Sequence, residues 1–341
     1  MNEMTRKERL LTAVRHEAPD RVPWNIELTS ELKDRAAAAA GVDPAGFDGW
    51  AGNHCVKISY NLGGGGISPG YFKDEFGVLW NRTGLDKDIG VVEEYLIEET
   101  ALDSYVFPDP PVEGVRTATE RGLAAAGDRC VFGKIGMTYF ERAWSLCGME
   151  NLMMQFLLDP GFVEALFGKI LDYNMEIIRT ACGYGIDGFY FGDDYGQQTG
   201  MLMSPEVWRK FIKPGLAEMI GCVKERGKIT ALHSCGDITS ILPDLIEIGL
   251  DIYQTVQPEI YDLPKLAREF GDGLAFWGGI STQKDLPFED PAGVRRIARE
   301  AMKVLGENGG YILSPTHRIP GDVPVENVLA LIDAAKNQEP L

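Results

Sequence analysis

The stretch Lys228–Asp237 reads K-I-T-A-L-H-S-C-G-D, and it holds the pair of side chains in this sequence best suited to metal chemistry. His233 and Cys235 stand one residue apart, and in an extended segment residues i and i+2 point to the same side. Ile229–Leu232 ahead of them reads as a short buried strand between Gly227 and Gly236. Behind them, Asp237 serves as N-cap to a helix with Ile238, Ile241, Leu242, Leu245 and Ile246 on one face. An imidazole and a thiolate therefore converge where a strand gives way to a helix, a ligand pair that suits Zn²⁺. The competing reading is a small buried cysteine beside a histidine held by one hydrogen bond. Two ligands do not make a zinc site, and only four histidines and six cysteines are present to supply a third. His317, in S-P-T-H-R-I-P, is the best placed, because it too follows a buried apolar run, Tyr311–Leu313.

The elements that must position these residues come in a regular rhythm. From Arg116 onward, short apolar strands alternate with helices at least five times: Arg129–Ile135, Gly188–Phe191, Ile229–Leu232, Asp251–Thr255, Leu274–Trp277 and Gly310–Leu313. That is the pattern of a parallel sheet built from βαβ units. With Arg21–Leu28 as a first strand and another near Cys55–Tyr60, the count approaches eight, the number that closes a (β/α)₈ barrel. An open, doubly wound sheet is the alternative. Residues 1–341 are read as one such α/β domain, with His54–Arg82 as an aromatic-rich β-hairpin inserted at the barrel mouth. Chemistry in barrels sits at strand C-termini, where the sequence places Asp193, Asp194, His233, Cys235, Gln254, Gln257 and His317. Gly63–Gly66 is not a phosphate loop, since no Lys-Ser/Thr and no clear helix follow it.

Net charge is −18, from 51 acidic against 33 basic residues, which argues against nucleic acid or an anionic membrane surface as partner. No apolar run approaches the roughly 18 residues of a membrane span, and Met1–Glu17 has no apolar signal core. Six sparsely spaced cysteines fit reduced thiols, and the expected location is cytoplasmic.

The pieces H-S-C-G-D, Q-P-E, G-G-I-S-T-Q and the closing G-G-Y-I-L-S-P-T-H-R-I-P-G-D-V-P-V-E-N resemble the uroporphyrinogen decarboxylase superfamily. That resemblance implies a (β/α)₈ barrel and one of two chemistries, decarboxylation in haem synthesis or zinc-dependent methyl transfer with a corrinoid protein. The decarboxylases carry an Arg-rich Q-A-G-R segment after the first strand. Here Trp24–Arg35 reads W-N-I-E-L-T-S-E-L-K-D-R, with Glu27 and Glu31 near where cations are needed. The methyltransferases bind zinc through His-x-Cys and a later Cys in a P-G-C-like context. This chain has His233 and Cys235, then Pro315-Thr316-His317, so His stands in the third place. The resemblance therefore implies Zn²⁺ on His233, Cys235 and His317, and a corrinoid (cobalamin) carried by a partner protein. One thiolate and two imidazoles leave net positive charge on the metal, which suits polarising an ether oxygen.

The expected reaction moves a methyl group from a methoxylated, aromatic substrate to a Co(I) corrinoid protein. Asp193 or Asp194 would be a fourth ligand or would orient a ligand histidine; the alternative for that pair is a solvated loop or a helix cap. Tyr60, Trp80 and Tyr195, with Phe72 and Phe76, would wall the pocket, and Gln257 would contact substrate. Alternatives are a methylcobamide:thiol (coenzyme M-like) methyltransferase, a decarboxylase, and a zinc-binding C1 carrier without chemistry.

Overall fold

The computed structural model describes residues 3–84, 90–307 and 309–338; residues 1–2, 85–89, 308 and 339–341 of the expected 1–341 domain lie outside the described residues. Among the described residues, thirteen strands fall in three sheets. In chain order they are β1 (Cys55–Ser59), β2 (Gly65–Ser68), β3 (Tyr71–Lys73), β4 (Leu79–Asn81), β5 (Val91–Glu94), β6 (Cys130–Gly136) and β7 (Gly188–Gly192). They continue as β8 (Gly196–Gln197), β9 (Gly200–Met201), β10 (Ile229–His233), β11 (Ile252–Val256), β12 (Ala275–Ile280) and β13 (Tyr311–Pro315).

The central sheet is a curled parallel one of seven strands in the order β1-β6-β7-β10-β11-β12-β13. Helices Val112–Ala126, Pro160–Cys182, Lys213–Lys224, Leu263–Phe270, Pro291–Gly306 and Val325–Lys336 lie between or after its strands. β7 and β12 are buried throughout and read as nearly continuous apolar runs. Alternate residues separate into two packed layers. Phe189 and Phe191 belong to the large layer under the helices. Tyr190, Phe132, Ala231, Ile252, Trp277 and Ile312 form the inner layer, joined by Leu10 and Val14 of the N-terminal helix Arg6–Val14. Among the described residues, no helix is long and apolar enough to cross a membrane.

Two expectations need correction. Arg21–Leu28 is no ladder strand: it makes only isolated bridges, Trp24 to Leu313 and Leu28 to Ile319. Pro23 has no N–H to give. The Val22 and Ile26 N–H groups go to side chains, Gln338 Oε1 (2.9 Å) and Asn53 Oδ1 (2.8 Å). The segment is nonetheless tied to both edges of the sheet, by Asn25 N–H to Leu313 O (3.0 Å) and by His54 N–H to Trp24 O (2.9 Å). The second correction concerns the insertion at 54–82. Cys55–Ser59 is the strand expected near Cys55–Tyr60 and belongs to the parallel sheet, and the expected hairpin is a four-stranded antiparallel sheet, β2-β3-β4-β5, that includes Val91–Glu94.

Asp74 holds that small sheet in place. Its carboxylate accepts from the Phe76 and Val78 N–H groups (3.0 and 2.9 Å), from Trp80 Nε1 (3.0 Å) and from Arg142 Nη1 (2.6 Å). Arg142 is buried and reaches Glu75 as well, at 2.8 Å. Asp74→Ala should cost about 3–5 kcal/mol, because it leaves a buried guanidinium short of its counter-charge. Urea unfolding of parent and variant measures this. A loss below about 1 kcal/mol would mean that Arg142 is served by Glu75 alone.

Candidate active site

His233 ends β10, and Cys235 follows two residues on. The turn between them and the next helix is tight. Gly236 has φ +80°, and a Cβ there would lie 2.1 Å from the Gly196 backbone, so only glycine lets the chain turn immediately after the cysteine. Gln257 Oε1 fixes this turn by accepting from Gly236 N–H at 2.7 Å. Asp237 braces the start of the short helical turn Thr239–Ile241, accepting the Thr239 N–H at 2.9 Å.

The two candidate ligands face each other, with Cys235 Sγ 3.5 Å from His233 Nε2. Asp194, from the loop after β7, completes a group of three. Its Oδ1 lies 3.6 Å from His233 Nε2 and accepts the Cys235 N–H at 2.8 Å. One donor atom from each of Asp194, His233 and Cys235 lies within 4.8 Å of the other two. His233 Nδ1 pairs with Gln254 Oε1, which also accepts the Tyr190 hydroxyl at 2.7 Å. With Nδ1 donating, Nε2 presents its lone pair to Cys235 and Asp194. Burial, against the pull of Asp194 and Gln254, brings His233 down to about 4, so the imidazole is neutral as a ligand must be. Burial first, then the Asp194 charge, pushes the Cys235 thiol well above its ordinary range. A cation among these donors would reverse that push. Oxygen, nitrogen and sulfur donors at these separations fit zinc.

Asp194 and His233 of this group open on a cavity of about 390 Å³, toward the small end of ligand pockets, which run about 300–1,000 Å³. Asp194, His233, Gln254 and His317 line it, together with the aromatic side chains Phe72, Trp80, Tyr190 and Trp277. His317 follows β13 and is exposed; its ring centroid is 5.9 Å from that of His233, and it stands outside the three-residue group.

The structure sorts the remaining sequence candidates. Asp193 is fully buried and turned away: its carboxylate accepts the Phe140 and Glu141 N–H groups, both at 2.8 Å, at the start of helix Phe140–Cys147. It is the helix cap of the two alternatives. Tyr60 is buried and bonded to Thr119 Oγ1 (2.8 Å). Tyr195 is buried beside Trp208 and Phe140. Neither Tyr60, Tyr195 nor Gln257 lines the cavity, whereas Trp80 does. Tyr190, Trp277, Lys57 and Lys134 line it too, and the sequence had not singled them out. For the lysines the signal is a charge inside a short, largely apolar strand, Lys57 in Cys55–Ser59 and Lys134 in Cys130–Gly136.

An α/β sheet with its candidate ligands gathered at strand C-termini is the architecture of barrel-type enzymes. The chain belongs to the uroporphyrinogen decarboxylase (URO-D) family, which it matches over residues 85–338. Among its relatives, the methylcobamide:CoM methyltransferase MtaA of Methanosarcina barkeri (strain Fusaro / DSM 804) is 32% identical over 98% of both chains. Another sequence of that name from Methanosarcina barkeri is 32% identical over 39% of this chain, which spans only 37% of that relative's length. The solved structure of a methyltransferase from Methanosarcina mazei is similar with a TM-score of 0.72 at 22% identity, covering 98% of this chain and 99% of that one.

Proposed function

We propose that this chain is a zinc-dependent methyltransferase that passes a methyl group from a methoxylated aromatic substrate to the Co(I) of a corrinoid on a separate protein. The observation that carries this reading is a cavity walled by four aromatic side chains, onto which Asp194 and His233 of the candidate metal group open. Relatives that carry the name methylcobamide:CoM methyltransferase support the corrinoid partner. The fold is read as a (β/α)₈-type domain over residues 1–341, with the extended 22–28 segment in the eighth position between β13 and β1. All six cysteines are unpaired, which suits the reducing cytoplasm.

His233, Cys235, Asp194 and, from across the cavity, His317 are the residues proposed to hold the metal. Zinc there would supply a Lewis acid for the oxygen that leaves as phenolate. The chain's own residues do the positioning. Gln254 fixes the His233 tautomer, Trp80 is held against the cavity by Asp74, and Asp193 anchors the loop that presents Asp194.

A second reading has its own support. A donor set of one thiolate and one carboxylate neutralises Zn²⁺ and leaves a bound thiolate electron-rich. That suits methyl transfer from methylcobamide to a thiol, the activity in the relatives' names.

The visible spectrum of a corrinoid protein separates the two. With methoxyphenols, the Co(I) form should convert to the methylated form only when this protein is present. Transfer from the methylated corrinoid to a thiol, with no reaction from any methoxyarene, would hand the chain to the second reading.

A further inference from the structure

The backbone polar groups around Cys235 find two kinds of partner. The N–H groups go to neighbouring loops: Ser234 to Gln254 O (2.7 Å), Cys235 to Asp194 Oδ1 (2.8 Å), Gly236 to Gln257 Oε1 (2.7 Å) and Asp237 to Gln197 O (2.8 Å). The carbonyls on either side of the cysteine go instead to two tyrosines, Tyr253 on β11 and Tyr261 in the loop that follows it. Tyr253 Oη lies 3.2 Å from Ser234 O. Tyr261 Oη donates to Gly236 O at 2.9 Å and accepts the Ile238 N–H at 3.0 Å. The two hydroxyls are 2.8 Å apart, with their rings nearly perpendicular.

One placement of the two protons satisfies every contact. Tyr261 gives its proton to Gly236 O and fills one lone pair with the Ile238 N–H. Its other lone pair takes the Tyr253 proton, which is shared with Ser234 O. The pair therefore straddles Cys235, one hydroxyl on the backbone before it and the other on the backbone after it.

Packing does not account for these hydroxyls. Both tyrosines are buried in the apolar layer under the helices. A phenylalanine would fill either place, and a hydroxyl buried there costs free energy unless it is hydrogen-bonded. What the hydroxyls add is a fixed position for the carbonyls of Ser234 and Gly236. Gly236 permits the turn, with φ at +80°, but has no side chain with which to hold it. Cys235 Sγ rides on this stretch, 3.5 Å from His233 Nε2.

We infer that Tyr261, backed by Tyr253, is a positioning residue for Cys235: its hydroxyl ties Gly236 O to the Ile238 N–H and so holds the thiol facing His233 Nε2. This rests on the metal-holding reading only for what the held thiol does.

Three tyrosine-to-phenylalanine variants of the full chain test this. Tyr311 is the control, because its buried hydroxyl also donates to a backbone carbonyl, Gly278 O on β12 at 2.8 Å. Tyr261→Phe and Tyr311→Phe should both melt lower than the parent, since each leaves a buried carbonyl without its donor. Co(II) is the metal probe, because its thiolate charge-transfer band reports the bond to Cys235. Tyr261→Phe should bind Co(II) about 10–100-fold more weakly, the usual effect of losing a group that supports a ligand, and with a weaker band per metal bound. Tyr311→Phe should match the parent in both. In chelator-treated protein, iodoacetamide should alkylate Cys235 about tenfold faster in Tyr261→Phe than in the parent, and at the parent rate in Tyr311→Phe. Peptide mass spectrometry reads this site against the other five cysteines, which are buried. A parent that binds no Co(II) would sink the metal reading, and the alkylation rates alone would then decide the positioning role. Tyr253→Phe keeps the Tyr261 bonds to the backbone and should move both readouts the same way by less. If Tyr261→Phe does not fold, parent-like behaviour of Tyr253→Phe overturns the inference. So would parent-like affinity and alkylation in Tyr261→Phe, or equal shifts in Tyr311→Phe.

Discussion

Cys235→Ala should leave the purified protein with far less than one zinc per chain, and methyl transfer should fall with the metal. The expected loss of affinity exceeds about 100-fold, because even residues that merely support a metal ligand cost about 10–100-fold when replaced. Cys235 is the only sulfur among the three converging donors. Its side chain is partly buried and its N–H is held by Asp194. The substitution removes a small side chain beside a turn fixed independently by Gln257 and Gly236. The melting temperature of the metal-free protein should therefore change little. Zinc by mass spectrometry and a thermal melt on the same sample separate the two effects. Full zinc in Cys235→Ala would remove this cysteine from the site.

Why some of the site was legible and some was not comes down to strand geometry. His233 and Cys235 declared themselves because two uncommon ligand types at spacing two share a side when the chain is extended. Asp193 and Asp194 are adjacent, so they were bound to diverge, but the sequence does not say which one turns inward. The answer depends on the Phe140 and Glu141 amides, which are distant in sequence and claim Asp193. Gln254 and Gln257 posed the same choice: Gln254 meets His233, and Gln257 braces the turn after Cys235.

Tyr190 was hidden for another reason. In G-F-Y-F-G both strand faces are buried, so no polar alternation marks the inward residue. Tyr60 and Tyr195 were credited with its role, yet both pack into the layer under the helices. The β/α rhythm was visible because helical and strand periods alternate over long stretches. The first segment and the small antiparallel sheet were not. N–H groups of the first segment go to distant side chains, and the small sheet's strands of three or four residues are too short to show a period.

The largest remaining effect should separate Asp194 from His317. Asp194→Ala is expected to lose most zinc, whereas His317→Ala should keep about one zinc per chain and bind it more weakly. Distance decides this ranking. Asp194 Oδ1 is 3.6 Å from His233 Nε2 and is fixed by the Cys235 N–H, so it is preorganised. The His317 ring is 5.9 Å from that of His233 and lies on an exposed loop, between Pro315 and Pro320. Charge then sets the chemistry. Thiolate with carboxylate makes a neutral zinc site, while thiolate with two imidazoles leaves it cationic and the stronger Lewis acid. Asp194→His should thus retain zinc and favour ether cleavage over thiol methylation relative to the parent. Zinc content across Asp194→Ala, Asp194→His and His317→Ala, measured with the spectrum of the corrinoid protein, tests both points. If His317→Ala emptied the site and Asp194→Ala did not, the third ligand would be His317 and the cationic site would be the resting one.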